Sequence, residues 1–132
     1  MIKKLLMLLV CSIVLTTIIY AQESNLAVDE MVFCSAIEER QPVASDTVFA
    51  NTVENVYCFT KISGSENNQS IFHVWYYKDE QKARVELSLG SKTWRTWSSK
   101  KIVAEWTGKW VVNVESANGA ILSSKEFLIK SP

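Results

Sequence analysis

Ser70-Ile71-Phe72-His73-Val74-Trp75-Tyr76-Tyr77-Lys78-Asp79-Glu80-Gln81-Lys82-Ala83-Arg84-Val85-Glu86-Leu87-Ser88-Leu89 is the stretch that decides the fold. From Ser70 to Lys78, a period of two puts Ile71, His73, Trp75 and Tyr77 on one face and Phe72, Val74 and Tyr76 on the other. A strand rich in large side chains on both faces is central in its sheet and covered from both sides. After the turn Asp79-Glu80-Gln81, Ala83, Val85, Leu87 and Leu89 alternate with Arg84, Glu86 and Ser88, which is the pattern of a half-buried strand.

The same punctuation continues outward. Upstream, Met31 to Glu38 and Asn55 to Ile62 read as strands, separated by a connection, Glu39 to Glu54, that holds Pro42 and only a short apolar island at Val48-Phe49. Ser63 to Gln69 has loop composition. Downstream, Gly90-Ser91-Lys92 leads into a tryptophan-rich strand, and Gly108 opens Lys109 to Glu115. Asn118-Gly119 then marks a hairpin into Ala120 through Ile129. No segment shows the apolar period of an amphipathic helix. The expectation is an all-β chain, a single antiparallel β-sandwich of immunoglobulin-like architecture with six to eight strands over residues 22–132.

Residues 1–21 stand apart from that domain. Lys3 and Lys4 precede an uncharged run from Leu5 to Tyr20, and small Ala21 precedes polar Gln22-Glu23-Ser24-Asn25, the layout of a secretory signal peptide. An uncleaved short anchor is the alternative, since about 17 residues suffice to span a bilayer; this would be the chain's only membrane contact. The sequence is therefore expected to be exported, to periplasm, cell envelope or extracellular space. Cys34 and Cys58 remain after cleavage, and an even pair in an exported domain reads as a disulfide, worth about 3 kcal/mol in the chain-entropy model. Both cysteines precede Trp75, so the bridge is not the one immunoglobulin domains place on either side of their tryptophan.

Charge narrows the partners. Among 132 residues, 14 basic and 14 acidic side chains balance, and loss of the leader removes Lys3 and Lys4 for a net charge of about −2. Without a basic stripe, nucleic acid is not an expected partner. No cofactor or metal is expected either: once the cysteines pair, His73, the only histidine, lacks nitrogen and sulfur companions.

The densest chemistry lies in Thr93-Trp94-Arg95-Thr96-Trp97-Ser98-Ser99-Lys100-Lys101. That block, with Cys58-Phe59-Thr60, His73-Val74-Trp75-Tyr76-Tyr77, Gly108-x-Trp110-x-Val112-x-Val114, Gly119-x-x-Leu122 and Phe127, resembles the bacterial family of domain of unknown function 2914, over roughly Val32 to Ile129. The resemblance implies an exported or envelope-associated β domain, often joined to other domains. It brings no reaction and no catalytic residues.

The candidate ligand surface is His73, Trp75, Trp94, Arg95, Trp97 and Lys100. Trp94 and Trp97 are three apart and face opposite sides of a strand, whereas Arg95 shares a side with Trp97. Arg95 can stack on an indole or present its fork to an oxyanion; alternatively it pairs with an internal acid while Trp94 fills the core. The leading expectation is a non-catalytic binding or protein-interaction module of the envelope whose partner is a protein or a polysaccharide. The alternatives are a small envelope enzyme using His73 with Asp79, Glu80 or Glu105, and a purely structural accessory domain.

Overall fold

The computed structural model describes residues 25–66 and 68–132, and the leader expected over 1–21 lies outside them. Among the described residues there are nine strands and no helix: β1 (Ala27–Glu38), β2 (Gln41–Ser45), β3 (Val48–Ala50), β4 (Asn55–Ser63), β5 (Ser70–Tyr77), β6 (Glu80–Ser88), β7 (Thr93–Lys101), β8 (Gly108–Ser116) and β9 (Ile121–Lys130). They form a four-stranded sheet, β2-β1-β4-β7, and a five-stranded sheet, β3-β9-β8-β5-β6. The count exceeds the expected six to eight because the connection Glu39–Glu54 holds β2 and β3. Pro42 sits on the edge strand β2, where its missing N–H is harmless. The island at Val48-Phe49 pairs parallel with β9, so the second sheet is mixed rather than wholly antiparallel.

Side-chain alternation gives both sheets an apolar inner face. Met31, Phe33, Val56, Cys58 and Ile62 from the first sheet and Ile71, Trp75, Trp110, Val112, Val114, Phe127 and Ile129 from the second belong to one buried cluster. Phe127 is its hub. Its ring centroid lies 4.6 Å from that of Phe33 across the sheets, 5.9 Å from Trp110, 6.1 Å from Trp75 and 6.1 Å from Phe49. At the open side, Lys125 Nζ donates to the Met31 carbonyl at 2.9 Å and so bridges β9 to β1.

Two hairpins turn through a pair of residues with positive φ: Glu39 (48°) and Arg40 (61°) between β1 and β2, and Lys78 (47°) and Asp79 (65°) between β5 and β6. This is the type I′ geometry, which matches strand twist but favours Asn-Gly. Each non-glycine residue there costs roughly 1–2 kcal/mol. The expected Asn118-Gly119 hairpin is built differently: Gly119 N–H donates to the Ser116 carbonyl and only Gly119 is left-handed, at φ 87°.

The disulfide expectation is overturned. β1 and β4 are neighbours, as anticipated, but the register sets Phe33 opposite Cys58 and Cys34 opposite Tyr57. Consecutive residues point to opposite faces, so Cys58 enters the core while Cys34 leaves on the outer side. Both are free, buried thiols. Burial pushes both pKa values up, offset in part at Cys34 by backbone hydrogen bonds at Val43 and Ala36. Buried, protonated thiols are inert. A thiol reagent should find no reactive cysteine among these two in the native protein and both in denaturant, with or without prior reduction. Reaction of Cys34 and Cys58 in denaturant only after reduction would contradict this arrangement.

Candidate functional site

His73 and Trp75 stand on the inner face of β5 and are fully buried. Three hydrogen bonds join them to the opposite sheet, and a fourth, within that sheet, completes the chain. Thr60 Oγ1 donates to the Thr96 carbonyl at 3.1 Å, which spends its only proton. Toward His73 Nε2, 3.1 Å away, Thr60 therefore accepts, and the ring carries its proton on Nε2. Nδ1 is then an acceptor for Ser98 Oγ–H at 2.6 Å, and Ser98 Oγ in turn accepts from Trp75 Nε1–H at 3.1 Å. The chain Trp75 to Ser98 to His73 to Thr60 to Thr96 uses each donor once. It requires a neutral imidazole. Both candidates thus belong to the inter-sheet core and not to a surface.

The rest of the expected site divides along β7. Trp94, Thr96, Ser98 and Lys100 are opposite Ile62, Thr60, Cys58 and Val56 and share their inner face; Arg95 and Trp97 are opposite Lys61 and Phe59 on the outer face. Lys100 is therefore parted from Arg95. Its Nζ lies 5.4 Å from the centre of the Trp106 ring, as does Lys82 Nζ. Trp94 packs on the margin of the core, its indole so close to Gly90 that a Cβ there would lie 2.6 Å from Cη2. Trp97 is half-buried and stacks on Phe59 with an interplanar angle of 15°.

Arg95 does not pair with an internal acid. Among the described residues the ion pairs are Lys82–Glu80, Arg84–Glu115 and Lys109–Glu126. Nor is Arg95 the cation on the indoles. That cation is Arg40, at the tip of the β1–β2 hairpin: its Nη2 donates to the Arg95 carbonyl at 2.9 Å, and its guanidinium carbon lies 4.9 Å from the Trp94 ring and 5.5 Å from the Trp97 ring. One guanidinium meets both indoles because β7 is an edge strand. A shallow concavity of about 410 Å³ lies beside it, lined by Arg40, Lys61, Ser91, Thr93, Trp94 and Arg95. Sequence reasoning missed Arg40. The only available hint was a charged residue in a connection with no other reason to be ordered.

A larger cleft, about 630 Å³, lies at the end where Asn25, Gly64, Glu66, Gln69, Glu86 and Asn118 meet. It shares no residue with the tryptophan and arginine set and gathers no convergent cations. Among the described residues no three of His, Cys, Asp and Glu converge as metal ligands.

The neutral histidine has a thermodynamic signature. Burial pulls the His73 pKa from 6.5 down to about 3. In the unfolded chain the ring takes up a proton near pH 6.5, so below that pH the unfolded state binds a proton that the folded state refuses, and stability falls with pH. Between pH 6.5 and about 4.5, urea midpoints should report a loss of up to about 1.4 kcal/mol per pH unit. His73→Gln should flatten that slope; an unchanged slope would assign it to another group.

Comparison with curated proteins gives no match to this sequence. Residues 68–129 match the family described as "Protein of unknown function (DUF2914)". The matched segment begins just before β5 and ends within β9, so it includes His73, Trp75 and the whole of β7, whereas Arg40, Lys61 and the Cys58-Phe59-Thr60 run precede it. Over residues 68–129, and not over the strands before them, the chain is similar to this family of unknown function, DUF2914.

Proposed function

We propose that this chain is an exported, non-catalytic binding module of the cell envelope, and that it meets its ligand along the β7 edge through Arg40, Arg95 and the flanking indoles of Trp94 and Trp97. One observation carries the reading: at this edge an arginine is pinned between two tryptophans beside two further cations, none of them in an ion pair among the described residues. Arginine and tryptophan are the residues that dominate binding energy at interfaces. Export is supported by the leader pattern of Lys3-Lys4, Leu5 to Tyr20 and Ala21.

The chemistry of His73 favours binding over catalysis. Both ring nitrogens are engaged by hydroxyls, the ring is fully buried, and Asp79, Glu80 and Glu105, the carboxylates that an enzyme would recruit, are exposed side chains with no hydrogen bond to it. A general base has to reach the proton it abstracts.

Strand order supports an immunoglobulin-like scaffold for this module. If β1, β4 and β7 are taken as strands A, B and E and β5, β8 and β9 as C, F and G, the two sheets have the constant-domain order without strand D, with β2 added beside A, β3 beside G and β6 beside C. Trp75 then falls on strand C, where those domains bury their tryptophan.

Arg95→Ala separates a ligand contact from a scaffold residue. Half-exposed and without an ion pair, Arg95 should be removable with a stability change within about 0.5 kcal/mol. The variant should nevertheless lose the component that the immobilised wild-type protein retains from envelope extract. Urea denaturation and quantified recovery give the two readouts; equal recovery by the variant would remove this edge from consideration.

A further inference from the structure

The architecture of the β7 edge says what kind of group it would hold. Lys61 and Arg95 are direct cross-strand partners, and like charges placed so destabilise a sheet. Arg40 is brought to the same concavity by a turn whose two central residues are both left-handed, Glu39 at φ 48° and Arg40 at φ 61°. Three cations are thus gathered at the expense of repulsion and backbone strain. The acids nearest in sequence and register do not neutralise them: Glu30 is the cross-strand partner of Lys61 and Glu39 precedes Arg40, yet neither forms an ion pair among the described residues. Arg84 makes the contrast on the other sheet. It lies 4.1 Å over the Phe72 ring and bonds Glu115 at 3.1 Å, so its charge is balanced within the fold.

The indoles are not open platforms here. Arg40 lies over both Trp94 and Trp97, so the tryptophans act as positioning residues that aim a guanidinium, leaving less of their faces for stacking against a neutral sugar. Ser91 and Thr93 add hydroxyls to the lining, although the Ser91 proton is directed at the Thr93 carbonyl. A guanidinium fork, a second guanidinium and an ammonium around one shallow concavity match the planar or tetrahedral oxygens of an anion.

We propose that the concavity formed by Arg40, Lys61 and Arg95 is an oxyanion site, which takes a carboxylate or phosphate group carried on a saccharide polymer or free in solution. This rests on the binding-module reading above and names the chemistry of its ligand.

Calorimetric titration of the protein with sodium polygalacturonate, inorganic phosphate and unmodified dextran tests it. At least one of the two anions should bind, with affinity falling as NaCl is raised, and dextran should not. Binding of polygalacturonate alone assigns the group to a polymer, and binding of phosphate as well assigns it to any accessible oxyanion. Lys61→Gln and Arg40→Gly should each weaken anion binding at least about tenfold; the first should do so without lowering the melting temperature, since it relieves repulsion, and in the second glycine at positive φ offsets part of the guanidinium contacts that are lost. Dextran bound as tightly as polygalacturonate, no binding of either anion, or undiminished anion binding by both variants would overturn the proposal. If no anion binds but Arg95→Ala still loses its envelope component, the binding-module reading stands and only the oxyanion chemistry falls.

Discussion

The hydrogen-bond chain from Trp75 through Ser98, His73 and Thr60 to the Thr96 carbonyl is the constraint on which the rest of the molecule depends. The hydrophobic effect is non-directional and by itself does not choose among relative positions of two apolar faces. Polar groups sealed in the same core are not indifferent. Each one left unpaired costs about 1–3 kcal/mol, so only the alignment that brings β5 over β4 and β7 satisfies them all. Phe127 and its ring neighbours then supply the bulk of the burial around a position the polar groups have already selected.

Fixing the inner face of β7 also fixes its outer face. Thr96 and Ser98 turn inward to join the chain, so Arg95 and Trp97 turn out, and the edge receives the tip of the β1–β2 hairpin. That tip is not optimised for stability. Asn-Gly would relax the turn that Glu39 and Arg40 hold at positive φ, but glycine has no side chain to lay across two indoles. Strain kept at a position of chemical interest is a recurrent mark of a working surface.

Much of this was readable from residue order, and the failures have physical causes. Alternation in Ala83, Val85, Leu87 and Leu89 and in the β5 run identifies the strands directly, because period two is a local property. The separation of Trp94 from Trp97 and the shared face of Arg95 and Trp97 follow from the same rule, and the rule applied to Lys100 would have parted it from Arg95. The cysteines lie on adjacent strands as expected, but register decides facing, and register is not local. Pro42 and the brevity of the Val48-Phe49 island hid β2 and β3, which are both edge strands. Arg40 was beyond reach for a further reason: its partner at Arg95 lies 55 residues away and is met only after the hairpin tip arrives at β7.

The alternation along β7 has an evolutionary corollary. One strand carries the core on its even positions and the exposed edge on its odd ones, so a single-residue insertion or deletion before Trp94 would exchange the two sets and bring Arg95 and Trp97 into the interior. Substitution at the odd positions leaves the inward set in place, whereas a change in the length of the strand does not. The outward surface of β7 can thus change in residue identity without disturbing the core beneath it.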